Sequence, residues 1–402
     1  MRILYVVPFI PWEVKVRSFN LIPRLSKNNE IFLVCVSADE PNAKQKDWVK
    51  RHCADVAFVR HSKWKGVTQC AAALPTPTPL RMAYCGSELA QQTVHRIVQH
   101  VRPDLAYVER WRALQFLPDE LRLPLLCDPT DSMTLYNKRL RTTGSWWERL
   151  IGWEEHGKFR RCEGKLALRA DVTVFCSSTD LASVMSQAPE ARFELVPNGV
   201  DCKKYFFKEA SEERADTIVF TGSFKYRPNV HAAKLFLDQV FPYVRKQRPR
   251  AKFVAVGNGA RGSLSGYSSD NGFGAIDFVP DLRPYLANAA VAVAPLTIGA
   301  GVSNKIAEGF AVGTTVVATP LACGDLPVRN GEHLLLGRDT EEFAQAIVKL
   351  LGDAEMRRRI AVRARRFVEA YDWDIVASKM EDIMYGLVKP REKKTTRVLA
   401  TA

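Results

Sequence analysis

A small-residue turn in the second half of the sequence carries residue types that bind anions. A strand pattern ends at Pro295, and the loop Gly299-Ala300-Gly301 leads into a predicted helix over Val302–Val312. Glycines let main-chain N–H groups approach an anion, and a helix N-terminus adds partial positive charge. Lys305 adds a full charge, and Glu308 offers acceptors for sugar hydroxyls. The segment predicts a site for a diphosphate joined to a hydroxyl-rich sugar; the alternative is a strand–helix corner whose glycines only permit close packing.

A second glycine motif lies upstream of that turn. Gly257-Asn258-Gly259-Ala260-Arg261-Gly262 follows a strand pattern, and Asp277 stands near the spacing of a ribose-binding carboxylate. The next ten residues are rich in serine and glycine, so the motif lacks the helix whose dipole would face a pyrophosphate. We therefore expect no dinucleotide cofactor. The nine cysteines and seven histidines show no zinc-ligand spacing, so we also expect no metal.

Aromatic and basic residues cluster in the first half. Trp146, Trp147 and Trp153 fall in a predicted helix, beside several arginines and lysines. Such a helix suits an anionic membrane surface, and the alternative is an aromatic stripe that faces the core. A run of six arginines within residues 357–366 is expected to form a solvated face.

The composition is that of an ordinary globular protein. The chain has 402 residues, of which 47% are hydrophobic and 25% charged, and its net charge is +14. This charge favours an anionic partner without choosing among nucleotide, nucleic acid and lipid. The apolar start at residues 1–8 predicts a first strand and not a signal peptide, and no apolar stretch could span a bilayer. With scattered cysteines, these features predict a cytoplasmic protein.

Short apolar runs alternate with amphipathic segments on both sides of a charged linker at 201–217. Such alternation predicts an α/β fold with doubly wound parallel sheets, one in each half, and a cleft between their carboxyl edges. The predicted strands are Ile3–Val7, Ile31–Val36, Val56–Val59, Leu105–Val108, Leu123–Cys127, Val172–Cys176, Ile218–Thr221, Phe253–Val256, Ile276–Val279, Ala290–Pro295 and Thr315–Ala318. The predicted helices include Ser18–Lys27, Glu88–Val101, Trp146–Arg169, Asn229–Gln247, Glu341–Leu351, Ala354–Ala370 and Trp373–Gly386.

In order and spacing, several pieces resemble the family-4 glycosyltransferases of the GT-B fold, particularly bacterial transferases of exopolysaccharide and surface-glycan synthesis. These pieces are Met1–Leu4 with Val16–Leu21, Asp128–Ser132, Val196–Asp201, Phe220–Asn229, Val256–Gly259, Val279–Leu286, Gly301–Glu308 and Ala311–Thr319. The resemblance implies two Rossmann-like domains, at 1–200 and 201–372. It also implies that a helix at 373–387 returns to the first domain, before a basic tail at 388–402.

The resemblance also implies roles for individual residues. Glu308 would hold the donor ribose, Lys305 would lie near the diphosphate, and Lys225 occupies the loop where the family places cationic phosphate ligands. These three are the candidate catalytic residues. The candidate substrate-binding residues are Gly222, Ser223, Arg227, Gly257, Gly259, Asp281, Gly299, Ala300, Gly301, Val302 and Asn304.

The sequence departs from the family pattern in three places. The family's earlier glutamate, eight positions before Glu308, is Ala300 here, so other residues are expected to recognise the donor sugar. The first-domain loop over Phe9–Lys15 is bulky and has no glycine. No histidine matches the family's first-domain histidine near Tyr107–Arg110, so no catalytic residue is assigned in the first domain.

These features predict a retaining glycosyltransferase that moves a sugar from a nucleotide-diphosphate donor to a glycan or lipid-linked acceptor. It would work in surface polysaccharide synthesis at the cytoplasmic face of the membrane, without nucleic acid. The alternatives are a non-hydrolysing nucleotide-sugar epimerase and a non-catalytic nucleotide-sugar binder, the latter suggested by Ala300. A nucleic-acid binder is a further alternative, suggested by the net charge.

Overall fold

The computed structural model describes residues 1–143, 146–208, 216–267, 272–298 and 304–388. The first half of the chain is built on a seven-stranded parallel sheet. The strand order is β3-β2-β1-β4-β5-β6-β7. The central strands are buried on both faces, as their continuous apolar sequences predict. The strands are β1 (Arg2–Val7), β2 (Glu30–Ser37), β3 (Asp55–Arg60), β4 (Leu105–Glu109), β5 (Leu125–Thr130), β6 (Val172–Phe175) and β7 (Phe193–Leu195).

Helices cover both faces of this sheet. Among them, the helix at Glu88–Val101 has the bounds predicted for it, because Ser87 caps its first turn by accepting a hydrogen bond from the Ala90 amide at 3.2 Å. The helices are α1 (Val16–Leu25), α2 (Ala43–His52), α3 (Lys63–Ala73), α4 (Leu80–Tyr84), α5 (Glu88–Val101), α6 (Met133–Thr143), α7 (Trp146–Leu168) and α8 (Ser178–Met185), with a 3₁₀ turn at Trp111–Phe116.

The second half repeats the architecture with a six-stranded parallel sheet, in the order β10-β9-β8-β11-β12-β13. Its strands are β8 (Thr217–Thr221), β9 (Lys252–Val256), β10 (Phe273–Ile276), β11 (Val291–Ala294), β12 (Thr315–Ala318) and β13 (Leu335–Leu336). Its helices are α9 (Arg227–Leu235), α10 (Phe241–Gln247), α11 (Ala260–Ser263), α12 (Arg283–Asn288), α13 (Asn304–Val312), α14 (Pro320–Cys323), α15 (Thr340–Gly352) and α16 (Ala354–Glu369). A π-helical turn at Phe236–Val240 joins α9 to α10, so the predicted helix over Asn229–Gln247 is continuous.

The predicted fold class is confirmed: two parallel-sheet, Rossmann-like halves face each other across a cleft. One predicted strand is wrong, because β10 occupies Phe273–Ile276 and not Ile276–Val279. Phe273 pairs with Phe253 and packs into the core, whereas Phe278 is 68% exposed. Both segments are apolar, and burial of Phe273 selects the earlier one.

The last helix, α17 (Trp373–Val388), packs on the first sheet and not on the second. Trp373 and Met380 are buried in the same core as Ile3 and Tyr5 of β1. Asp374, in the first turn of α17, pairs with Arg24 of α1 at 2.7 Å. This helix therefore extends the core of the first half, while the exact boundaries of the two domains stay a prediction.

The long helix α7 organises the helices around it through buried charges. Glu163 accepts hydrogen bonds from the Met133 and Thr134 amides at the start of α6. Glu155 accepts one from the Leu80 amide at the start of α4, at 2.5 Å. Each carboxylate satisfies amides that a helix N-terminus leaves without partners. These caps fix α7 while its other face stays in solvent.

That outer face carries the tryptophan cluster. Trp146 is 80% exposed, Trp147 51% and Trp153 66%, so the predicted alternative of a core-facing aromatic stripe is wrong for these side chains. None of the helices in the described ranges is long and apolar enough to cross a membrane.

The arginine run on α16 is only partly the solvated face that its charge predicts. Arg357 is buried and donates to the Leu350 and Leu351 carbonyls at the end of α15. Arg365 donates to the Tyr205 and Ala311 carbonyls. These two guanidiniums supply donors to free carbonyls, a structural use that a count of charges does not reveal.

Candidate active site

A cavity of about 370 Å³ lies between the two halves and is lined by both. The first half contributes residues that flank the start of α1, and the second half contributes loops at the carboxyl ends of β8, β9 and β10. The lining residues include Glu13, Val14, Val16, Asn20, Lys204, Tyr205, Gly222, Ser223, Gly257, Phe278, Asp281, Asn304 and Glu308. Ligands of open α/β sheets bind at this edge.

Two glycines bring the main chains of β8 and β9 together at the cavity. Gly222 has φ +150° and Gly257 has φ +145°, a region that side chains disfavour. A Cβ on Gly257 would lie 1.9 Å from the Gly222 carbonyl oxygen, and one on Gly222 would lie 2.8 Å from Asn229 Nδ2 and 3.3 Å from Lys305 Nζ. Glycine is thus required at both positions, where the N–H groups donate to the Val256 and Ile276 carbonyls, and at Gly222 the missing side chain leaves room beside the Lys305 amine.

Lys305 lies in the first turn of α13, beneath these glycines. Desolvation by the surrounding protein lowers its pKa to about 8, partly offset by the charge of Glu308. Its Nζ lies 5.5 Å from the centre of the Phe220 ring. In the described ranges, no carboxylate oxygen comes within ion-pair distance of this amine. Lys305 is not itself among the residues that line the cavity, but its Nζ lies beside Gly222, which is.

Glu308 lines the cavity one turn further along α13. Burial raises its pKa to about 7, while Lys305, Lys204 and a hydrogen bond from the Tyr205 hydroxyl favour the charged form. The same hydroxyl is buried, which, with the nearby Glu308 carboxylate, raises the pKa of Tyr205. A carboxylate held in this way can accept hydrogen bonds from vicinal hydroxyls, as a ribose would require.

The other predicted residues fall into three groups. Gly222, Ser223, Gly257, Asp281 and Asn304 line the cavity, where Asp281 also pairs with Arg283 at 2.8 Å.

The second group lies at the rim. Lys225 is exposed, and its Cγ lies 3.6 Å from where a Cβ of Gly259 would be. Arg227 reaches across to Glu148 of α7, at 2.9 Å, and so joins the two halves. The third group, Gly299, Ala300, Gly301 and Val302, lies outside the described residues.

Sequence reasoning missed three residues at the cavity. Asn229 is buried with an unpaired Oδ1, although it stands in a matched sequence piece. Tyr205 falls in the segment predicted as a charged linker. Phe278, exposed at the cavity, falls in the wrongly predicted strand. For Tyr205 and Phe278, the available sequence signal was an aromatic residue among polar and charged neighbours.

The GxGxxG segment does not form a dinucleotide fingerprint. Its helix, α11, has only four residues, and the Asp277 carboxylate accepts a hydrogen bond from the Arg261 amide at 3.1 Å. In the described part of the chain, no cluster of three or more histidine, cysteine or acidic residues could hold a metal.

The strand ends of the first half carry a buried polar network for which sequence analysis assigned no role. Arg17 pairs with Asp128, and Tyr107 donates to the same carboxylate. Tyr5 donates to Glu109 at 3.2 Å. Burial, and next the charge of Asp128, raise the pKa of Glu109 to about 7. Burial therefore favours the protonated form of Glu109 beneath the first half's side of the cleft.

Comparison with known proteins supports this assignment of elements. Residues 215–353 match the family model described as glycosyl transferases group 1. The chain is 26% identical over 242 residues to phosphatidyl-myo-inositol mannosyltransferase of Mycobacterium tuberculosis, covering 56% of this chain and 61% of that protein. The match thus spans about three fifths of the length of that relative.

Solved structures share the fold over nearly the whole chain. Sucrose-phosphate synthase from Thermosynechococcus elongatus superposes with a TM-score of 0.69 at 15% identity, covering 96% of this chain and 99% of the other. Anabaena HepE in complex with UDP gives 0.67 at 14% identity, covering 96% and 100%. The chain therefore has the GT-B fold, and residues 215–353, in its second half, are similar to the glycosyl transferases group 1 family.

Proposed function

We propose that this protein is a retaining glycosyltransferase that transfers a sugar from a nucleotide-diphosphate donor to a glycan or lipid-linked acceptor in surface polysaccharide synthesis. The observation that carries the proposal is the amine of Lys305 beside Gly222 of the cavity wall, with no ion-pair partner among the described residues. A diphosphate beside Gly222 would receive the full charge of this amine at close range, because glycine places no side chain between them.

The remaining cavity residues fit the rest of a donor. Glu308 and Tyr205 offer an acceptor and a hydroxyl to a ribose, and the exposed ring of Phe278 offers an apolar face to a base. The buried amide of Asn229, with its unpaired Oδ1, stands beside Gly222 and Lys305 and can receive a hydrogen bond from the donor. Lys225, at the rim, adds a second cation near the phosphates.

The proposed reaction breaks the bond between the anomeric carbon and the phosphate oxygen, and the electron pair leaves with the nucleoside diphosphate. The acceptor hydroxyl forms the new bond to the same carbon and gives its proton to the departing phosphate. Negative charge grows on that phosphate, and the ammonium of Lys305 stabilises it. The cavity is lined from both halves, which brings donor and acceptor together.

The exposed tryptophans of α7 support a location at the cytoplasmic face of a membrane. Trp146, Trp147 and Trp153 provide an apolar surface, and the neighbouring lysines and arginines provide attraction to anionic lipids. A lipid-linked acceptor would give this surface a purpose. Flotation with anionic vesicles, and its loss in Trp147→Ser, would test the location.

Thermal shift with a panel of nucleotide sugars tests the proposed donor site. A ligand that binds the folded state raises the melting temperature by mass action. We expect at least one nucleotide sugar to do so with the wild-type protein and with Lys234→Ala, an exposed lysine on α9, but not with Lys305→Ala. A panel in which no member raises the melting temperature, or in which Lys305→Ala responds like the wild type, would contradict the proposal.

A further inference from the structure

A second cavity, of about 410 Å³, opens at the carboxyl edge of the first sheet. Pro8 follows β1, Ser37 ends β2 and His61 follows β3, and all three line it. The α3–α4 hairpin and Ile151 of α7 form the opposite wall. The other lining residues are Ala38, Cys70, Leu80, Arg81, Tyr84, Cys85, Arg112 and Glu155. The donor-site proposal uses none of these residues.

Arg112 gives this cavity its chemical character. Its Nε is buried and has no hydrogen-bond acceptor, and no ion pair involves Arg112 within the described part of the chain. By contrast, Arg110 pairs with Asp131 at 2.9 Å, and Arg81 lies 3.8 Å from Glu155. Arg112 thus lines the cavity with a guanidinium that has no acid beside it, and a ligand with acceptor oxygens would receive charge-assisted hydrogen bonds from its accessible N–H groups.

Other positive charges lie around Arg112. Desolvation first, and then the charges of Arg110 and Arg112, lower the pKa of Lys15. Desolvation also lowers the pKa of Arg112, and Arg110 and Arg81 lower it further. Like charges brought together without enough acids create a field that attracts an anion.

Part of the cavity wall is apolar and continues onto the exposed face of α7, while Ser37, His61 and Glu155 are polar. Leu80, Tyr84 and Ile151 line it, and Trp147 lies one helical turn before Ile151, 51% exposed. A ligand that fits would have an anionic head at Arg112 and an apolar chain that leaves along α7.

The cavity also lies within reach of the donor site. Pro8 lines this cavity, and Glu13 of the same loop lines the donor cavity. Five residues span at most about 18 Å when fully extended. A sugar attached to a phosphate at Arg112 could therefore present a hydroxyl to the donor.

We propose that this cavity binds the phosphate-bearing head of a lipid-linked acceptor and that Arg112 binds the phosphate. The inference deepens the proposed function, and it rests on that function in identifying the ligand as the acceptor substrate. The site itself stands on the unpaired guanidinium, the cavity and the apolar path along α7.

Titration calorimetry with farnesyl diphosphate as a short lipid diphosphate tests the site. We expect the wild type to bind it, and Arg112→Gln to bind it about ten- to a hundredfold more weakly, since hydrogen bonds to charged groups are lost. Arg112→Lys should recover part of the affinity. Arg51→Gln, which removes an exposed guanidinium of α2, is the matched control and should bind like the wild type.

Two further arms separate the sources of affinity. Farnesol, without the diphosphate, should bind at least tenfold more weakly, and so should inorganic pyrophosphate, without the chain. Lys305→Ala should keep its affinity for farnesyl diphosphate, whereas binding at the donor cavity would be lost in that variant. Equal affinity of Arg112→Gln and the wild type would overturn the inference, as would tight binding of farnesol.

The outcomes distinguish this site from the proposed function. If nucleotide sugars bind but the affinity for farnesyl diphosphate does not depend on Arg112, only the proposed acceptor site is contradicted. If that affinity depends on Arg112 while no nucleotide sugar binds, the proposed donor site is contradicted and the proposed anion site at Arg112 stands. Melting temperatures of Arg112→Gln and the wild type, compared without ligand, show whether the variant is folded.

Discussion

The carboxyl edges of the two sheets occupy equivalent places in the fold, yet they are built from different chemistry. At the second sheet, Gly222 leaves room beside Lys305, which forms no ion pair among the described residues. At the first sheet, Arg17 and Tyr107 both bind the Asp128 carboxylate in the interior. The cation of one edge is left without an acid, whereas the cation of the other is paired.

This difference indicates that the polar groups at the two edges have different roles. The diphosphate site that we propose needs a cation beside a residue without a side chain, so a short motif in the second half can supply it. The buried network of the first half fixes α1 to the segment after β7, because Arg17 Nη1 also donates to Asn198 Oδ1 at 3.1 Å. It therefore positions the wall of the donor cavity, and the acceptor site that we propose at Arg112 is separate from this network.

Breaking the network of the first half should have the largest effect on stability. Arg17→Met leaves Asp128 buried and without its cation, and losing one partner of a buried ion pair typically costs about 3–5 kcal/mol. We expect the free energy of unfolding in urea to fall by that amount. The matched control is Arg51→Met, whose exposed partner is Asp47 and whose loss should cost less than about 1 kcal/mol. Equal effects of the two variants would show that the network does not stabilise the first half.

Removing the cation of the second half should act on transfer and not on stability. Lys305→Ala should lower turnover about 10²–10³-fold, the usual cost of losing one donor to a developing oxyanion. Its melting temperature without ligand should not fall, because the amine is desolvated and unpaired. Lys234→Ala, in the same domain, should turn over like the wild type. Wild-type turnover in Lys305→Ala would remove this residue from the mechanism.

The sequence predicted the second half's site better than the first half's, for a physical reason. The strand, loop and helix that carry Lys305 and Glu308 are adjacent in the chain, so spacing alone places them together. Arg112 and Arg81 reach one cavity only through the packing of α4 against the 3₁₀ turn at Trp111–Phe116, which no local pattern encodes.

The boundaries of helices and strands also depend on tertiary packing that a local sequence pattern does not encode. The bounds of α5 agree with the prediction, and Ser87 caps its first turn, whereas β10 begins three residues earlier than predicted because two apolar segments compete and only core packing decides between them. The exposure of Trp146 and the burial of Arg357 likewise depend on neighbours that are distant in sequence.

The close approach of the main chains in the second half gives a test whose expected effect is of intermediate size. Gly257→Ala places a Cβ 1.9 Å from the Gly222 carbonyl and in a disfavoured φ region, so the two strand ends must separate. We expect a loss of about 2–3 kcal/mol in the free energy of unfolding, with weaker nucleotide-sugar binding. Gly262→Ala is the matched control, since nothing lies within 4 Å of its Cβ. If both variants bind the donor equally well, the glycine pair does not shape the site.

The pH dependence of donor binding should give the smallest effect. Lys305 loses its charge as the pH rises through about 8, and Glu308 loses its charge as the pH falls through about 7. Because the diphosphate requires the ammonium and the ribose requires the carboxylate, affinity should be greatest between pH 7 and 8. Above that window it should fall about tenfold per pH unit, which is about 1.4 kcal/mol.

Substitutions can assign each limb of that profile to one residue. In Lys305→Arg the affinity should no longer fall on the alkaline side at any pH below 10, since a guanidinium keeps its charge there. In Glu308→Gln the acid limb should disappear, because the amide oxygen accepts hydrogen bonds at every pH. Calorimetric affinities of a nucleotide sugar measure both, and its diphosphate, esterified at both ends, does not itself titrate in this range. A flat profile for the wild type would mean that neither residue contacts the donor. The charges of Lys305 and Glu308 would then serve the fold alone, as those of Arg17 and Asp128 do.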